Sequence, residues 1–156
     1  MKRAVTIILS AIMAAGCTSF SIEHSINFTH SGCANQTKGL FGNDDEKPML
    51  YLEYTSKGLA VTRTNAMMNC IIKTDKDALV CDVEIKGEDI YYCVHEWDGP
   101  VANCICPVEK LSSTVTGLKE NTEYVLHYTC GGSYLPINFR YHKGLKLKLN
   151  LEQYED

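Results

Sequence analysis

The amino-acid sequence predicts an all-β sandwich, and three observations carry that expectation. From Pro48 onward apolar residues recur at every second position, turn-forming residues interrupt them at short intervals, and no stretch keeps a helical period over three turns. Many short strands at such spacing build a sandwich or barrel, because each strand has one apolar face that a second layer must cover.

Taken in order, candidate strands run from Met49 to Tyr54, Gly58 to Arg63, Asn69 to Lys73, Leu79 to Ile85 and Asp89 to Glu96. Further candidates run from Val101 to Val108, Ser113 to Thr116, Glu123 to Cys130, Leu135 to Tyr141 and Gly144 to Leu151. The pattern is clearest where Leu79, Cys81, Val83 and Ile85 alternate with Val80, Asp82 and Glu84, and where Leu145, Leu147, Leu149 and Leu151 alternate with Lys146, Lys148 and Asn150. Each such strand turns one face inward and one to water. Between them Ser56-Lys57-Gly58, Lys86-Gly87-Glu88-Asp89, Asp98-Gly99-Pro100, Gly131-Gly132 and His142-Lys143-Gly144 supply residues that accept positive φ or preset a turn.

One segment narrows the fold class. Leu118-Lys119-Glu120-Asn121-Thr122-Glu123-Tyr124 resembles the corner of fibronectin type III domains, in which Leu, a tight bend, Thr and then Tyr lead into the next strand. Glu120 stands where that family usually has Pro. The resemblance implies an immunoglobulin-like sandwich over residues 49–156. In it Leu118, Thr122 and Tyr124 form a structural tyrosine corner, with the Tyr124 hydroxyl bonded back to the backbone of the bend. Leu126 occupies the place of the second cysteine of an antibody domain, so the usual inter-sheet disulfide is not expected.

The start of the chain reads as an address. Lys2 and Arg3 precede an apolar run from Ala4 to Ala15, and small residues close it, which is the layout of a secretory signal peptide over residues 1–16. The run is too short for the roughly 20 apolar residues that a spanning helix needs. Ala14-Ala15-Gly16-Cys17 resembles the lipobox of bacterial lipoproteins, although Ala14 stands where that pattern usually has Leu. Cys17 is therefore expected to carry lipid as the first residue of the mature chain, and several acyl chains make such an anchor stable. The expected location is a bacterial cell envelope, on the outer membrane or cell surface.

Residues 17–48 are polar and turn-rich and read as a tether, with Ile26, Phe28 and Cys33 as points that dock on the domain. Asn27-Phe28-Thr29 and Asn35-Gln36-Thr37 match a glycosylation acceptor that has no meaning in a bacterial lipoprotein. Loss of Lys2 and Arg3 with the signal takes the formal charge from −4 to −6. A chain of that sign, with no basic patch, repels phosphate, so nucleic acid is not an expected partner.

Eight cysteines are the unusual feature of the composition. Without Cys17 an odd number remains, so in an oxidising compartment at least one thiol lacks an intramolecular partner. Asn69-Cys70 and Cys104-Ile105-Cys106-Pro107 are the most distinctive motifs. Together with the signal and the Leu118–Tyr124 corner they resemble cysteine-containing exported lipoproteins of gut bacteria. That resemblance implies a fold and an envelope address, and it brings no assigned activity. Its asparagine is often followed by two cysteines, whereas Ile71 follows Cys70 here.

Cys104 and Cys106, two apart on a strand, would project from one face and could join Cys70 and a fourth ligand around a metal. Zinc ligand pairs are usually more widely spaced, and exported thiolates oxidise. Disulfides among candidates Cys70, Cys104 and Cys106 are accordingly expected, with Cys70 joined to Cys104 or Cys106, and no metal or cofactor is assigned.

Catalytic signals are weaker still. Cys93 and His95 share one side of a candidate strand, yet no oxyanion hole or orienting third group accompanies them, so an ordinary strand face is the reading. His24, His30 and Cys33 are read as solvated, and Gly42 to Lys47 lacks the ligand pattern of a calcium loop. Trp97, the sole tryptophan, is a possible binding anchor that Tyr91, Tyr92 and Tyr134 could join. A sandwich usually buries one tryptophan between its sheets, which favours a core position. The expected function is a non-enzymatic envelope lipoprotein acting as a binding or structural module, with an unknown protein or glycan as ligand. A carbohydrate-binding or adhesion protein would show exposed Trp97 and tyrosines, and a thiol-cluster metal or redox protein would keep Cys70, Cys104 and Cys106 reduced.

Overall fold

The structure is a computed structural model that describes residues 27–34 and 47–154. The export signal, Cys17, His24, Ile26, the Asn35-Gln36-Thr37 triplet and residues 42–46 lie outside the described residues. In chain order the strands are β1 (Thr29–His30), β2 (Met49–Thr55), β3 (Gly58–Asn69), β4 (Leu79–Lys86) and β5 (Asp89–Glu96). They continue as β6 (Ile105–Val115), β7 (Thr122–Cys130), β8 (Ser133–Tyr141) and β9 (Lys146–Asn150).

Two-residue alternation decides which side of each strand is buried. Leu50 and Leu52 of β2, Ile90, Tyr92 and Val94 of β5, and Leu126, Tyr128 and Cys130 of β7 all point into one core. Two sheets enclose it, one of five strands in the order β1-β6-β3-β2-β9 and one of four in the order β4-β5-β7-β8. The all-β, two-layer expectation is met. All pairs are antiparallel except β5 with β7. After β5 the chain crosses to the other sheet as β6 and returns as β7, so β5 and β7 run in the same direction.

Several element boundaries differ from the sequence reading, each for a local reason. Asn69 to Lys73 is not a strand: β3 ends at Asn69, whose side-chain oxygen accepts from Ile71 N at 3.0 Å and starts a 3-10 turn over Cys70–Lys73. The same oxygen accepts from Ala102 N at 2.9 Å, while the Asn69 amide donates to Ala102 O at 2.8 Å. That clasp holds residues before Ile105 out of the sheet, so β6 begins later than Val101. It then runs unbroken through the expected gap before Ser113. In the segment read as tether, Thr29 and His30 pair with Ser112 and Leu111 of β6.

The apparent breaks in β3 and β6 have a common cause. In β3 the inward residues are Leu59, Val61 and Arg63, then Ala66 and Met68; in β6 they are Cys106 and Val108, then Leu111, Ser113 and Val115. Both strands change phase at the same level, beside Asn65 with φ of 52°, while the register continues from Arg63↔Leu111 to Ala66↔Val108. Alternation therefore fails locally in the sequence, while pairing resumes in the same register on either side of Asn65.

The interior holds a polar layer. The Tyr92 hydroxyl meets Ser113 Oγ at 2.7 Å across the two sheets, and Tyr92 stacks on Tyr128 with ring centroids 5.5 Å apart. Cys81 and Cys130 flank Val94 on the inner side of the four-stranded sheet and keep their thiols. Burial pushes the Cys81 thiol up to about 12, so it stays protonated and behaves as a small apolar side chain.

Candidate functional site

The outward side of the four-stranded sheet carries the densest arrangement of chemistry among the described residues. Register sets three rows across β4, β5, β7 and β8: Lys86, Asp89, Val125 and Asn138; Glu84, Tyr91, His127 and Pro136; Asp82, Cys93, Thr129 and Tyr134. Cross-strand neighbours on one face stand close enough for rings to meet. Tyr91 stacks on His127 with centroids 4.6 Å apart and planes 9° from parallel, and His127 stacks on Tyr134 at 6.1 Å and 16°. Lys86 Nζ lies 5.4 Å from the Tyr91 centroid. A cation and three rings thus form a column across the sheet, ending at Tyr134 on the edge strand β8.

Hydrogen bonds fix the middle of the column. His127 Nε2 is 2.7 Å from Asp89 Oδ1, and Nδ1 is 2.7 Å from the Tyr134 hydroxyl. A neutral imidazole satisfies both contacts by donating from Nε2 to the carboxylate and accepting the tyrosine proton at Nδ1. Tyr134 is half exposed, at 50 %. Its ring is therefore held in place at the hydroxyl while much of its surface stays open to solvent.

A second histidine on this face has a different environment. His95 Nε2 is 2.9 Å from Asp82 Oδ2 and Nδ1 is 2.7 Å from the Glu96 carbonyl, so both ring nitrogens face acceptors. Only the imidazolium donates to both. Partial burial works against that charge, but the bonds to Asp82 and to the Glu96 carbonyl outweigh it and raise the His95 pKa. Cys93 does share the outward side with His95, at 5 % exposure, but it is disulfide-bonded and has no thiol to act as nucleophile.

The other sequence-marked residues lie elsewhere. Cys70 is bridged to Cys104, and Cys106 to Cys33, so the three sulfurs weighed as a metal cluster belong to two disulfides. Cys104 and Cys106 do not act from one strand face: Cys104 is exposed in the loop that Asn69 clasps, and Cys106 is buried in β6. Among the described residues no three His, Cys, Asp or Glu side chains gather as metal ligands. Phe28 packs against the core. His30 Nε2 meets the Lys76 carbonyl at 2.8 Å, rather than standing in solvent.

Trp97 is not in the core. It is 41 % exposed, its backbone N–H donates to Ala78 O at 2.8 Å, and its indole lies over Gly99, where a side chain would collide with it. The strand ends at Glu96, so the chain has already turned away from the inter-sheet space when it reaches Trp97. Tyr92 is in the core, while Tyr91 and Tyr134 are in the column. At the corner, Tyr124 is buried, its hydroxyl accepts from Lys119 N at 2.9 Å, and Leu118 packs against the core. Thr122 opens β7. Glu120 accepts a hydrogen bond from the Tyr54 hydroxyl at 2.5 Å.

Sequence reasoning missed His127, Asp89 and Lys86. The available signal was a histidine at an outward position of a strand whose inward residues are Tyr124, Leu126 and Tyr128. Compared with known proteins, the chain matches no family model, no curated protein and no solved structure.

Proposed function

We propose that this chain is a non-enzymatic binding module of a bacterial envelope, exported by residues 1–16, anchored through lipid on Cys17 and acting through the outward side of the four-stranded sheet. The observation that carries the reading is the ring column ending at exposed Tyr134. Rings held rigidly by neighbours lose little freedom when a ligand lands on them, which is what makes aromatic anchors dominate interfaces. The Cys33–Cys106 and Cys70–Cys104 disulfides suit an oxidising compartment. The immunoglobulin-like assignment belongs to the same proposal: it is supported by the Leu118–Tyr124 corner within a two-sheet sandwich, with the parallel β5–β7 pair as its departure from purely antiparallel immunoglobulin sheets.

The Asp89–His127–Tyr134 series also has the outline of an acid–base relay. A relay in catalysis needs an enclosed position for the reacting atom. Here the terminal hydroxyl stands on an open strand edge, so the series is better suited to orienting a ring than to moving a proton.

The test is a pull-down from a detergent extract of the native envelope with wild-type protein and with Tyr134→Ala. Retention of a partner by the wild type and its loss in the variant is expected; identical captures would overturn the reading. Lipidation has its own measurement. Intact mass and peptide mapping of the exported protein should show diacylglycerol on Cys17, and a Cys17 that carries none would remove the lipid anchor from the proposal.

A further inference from the structure

The outward row of β8 extends the column into a strip. Tyr134, Pro136, Asn138 and Arg140 occupy alternate positions and are all exposed. At the rise of an antiparallel strand they span about 20 Å, too long for one small molecule and suited to a chain of repeating units. The types are those that recognise sugar rings: one aromatic surface for a carbon–hydrogen face, then an amide and a guanidinium whose donors and acceptors match hydroxyl groups.

Charge narrows the ligand further. The cations that frame the strip are paired within the sheet, Lys86 with Glu84 at 2.9 Å, His95 with Asp82 at 2.9 Å and Arg140 with Glu123 at 3.8 Å, and the Asp89 carboxylate meets His127 Nε2 at 2.7 Å. No excess positive charge remains to draw a polyanion, and the chain as a whole is negative at −4. Both facts disfavour sulfated, sialylated or uronic-acid polymers and favour an uncharged one.

We infer that the outward side of β7–β8 is a glycan-binding strip whose ligand is a neutral oligosaccharide, one pyranose ring stacking on Tyr134 and later units bonding to Asn138 and Arg140. The inference rests on the binding-module reading and names its ligand class. The His127 contact holds the Tyr134 ring at its hydroxyl, so the stacking surface is formed before the sugar arrives.

The test is an immobilised array carrying neutral, sialylated and sulfated oligosaccharides side by side, probed with the full mature protein. Binding to neutral members is expected, weakened about thirtyfold or more by Tyr134→Ala but within about threefold by Tyr134→Phe, and unchanged by Trp97→Ala. Asn138→Ala should cost about fivefold, and because Asn138 is exposed this variant decides the matter if Tyr134→Ala does not fold. The inference is overturned by a blank array, by binding confined to charged glycans, or by neutral-glycan binding indifferent to both Tyr134 and Asn138. A blank array together with a Tyr134-dependent partner in the envelope pull-down would sink the glycan and leave the binding module. Failure of both would sink both.

Discussion

The two sheets present different outward faces. On the five-stranded sheet the outward residues at the centre are Ala60, Thr62 and Thr64 of β3 against Thr114, Ser112 and Lys110 of β6, small or hydrated groups on an ordinary pleat. On the four-stranded sheet the corresponding positions hold stacked rings and matched ions. Both sheets have extended backbone ladders, so the difference comes from which side chains register places opposite one another. Beside that centre Lys148 Nζ lies 5.6 Å from the Tyr51 centroid, whereas the outward side of the four-stranded sheet carries a run of stacked rings together with paired ions.

The largest test of that contrast removes a covalent support of the five-stranded sheet. The Cys33–Cys106 disulfide ties the segment after β1 to the buried start of β6 across 73 residues of sequence. Loop-closure entropy for a ring of that size is worth about 4 kcal/mol. Urea unfolding of Cys33→Ala/Cys106→Ala should show a loss of that order, with the His127 ring resonances unmoved in the folded state. A loss below about 1 kcal/mol would mean that the sheet holds its first strand by pairing alone.

A smaller effect compares the faces directly. His127→Ala removes two hydrogen bonds and two ring contacts from the column, and should cost about 2 kcal/mol. Thr62→Ala, at the centre of the other face, should stay within about 0.5 kcal/mol. Equal losses at the two positions would erase the distinction between an organised face and a plain one.

How much of this was legible depended on whether the information was local. The alternations at Leu79–Ile85 and Leu145–Leu151 show one face inward because each strand carries its own pattern, and the turn at Lys86-Gly87 is written in its own residues. The Asn69 clasp was less visible, since its partner Ala102 is 33 positions away. The phase change at Asn65 made β3 look as if it ended at Arg63, and the matching change at the level of Glu109 made β6 look like two strands. The site was hidden for the same reason. Tyr91 and Tyr134 stood out as aromatics, but the column needs His127 between them, and that requires the parallel β5–β7 register, which no local pattern specifies. Trp97 misled because one residue beyond a strand end separates a core position from an exposed one.

The smallest effect separates the two histidines of the organised face. His127 Nδ1 meets the Tyr134 hydroxyl, which can donate to it, whereas His95 faces acceptors on both nitrogens, with Asp98 adding a further negative charge nearby. Because the folded-state pKa of His95 is raised above its ordinary value of about 6.5, its contribution to stability is fully present below that value and is lost as pH rises through the folded one. Urea midpoints measured from about pH 5.5 to about pH 8.5 should therefore fall for the wild type and fall less for His95→Gln, in which the amide side chain does not titrate. Asp82→Asn, which takes the carboxylate away from His95 Nε2, should flatten the profile as well. If His95→Gln leaves the profile as steep as the wild type's, the pairing of His95 with two acceptors is not what makes stability fall with pH.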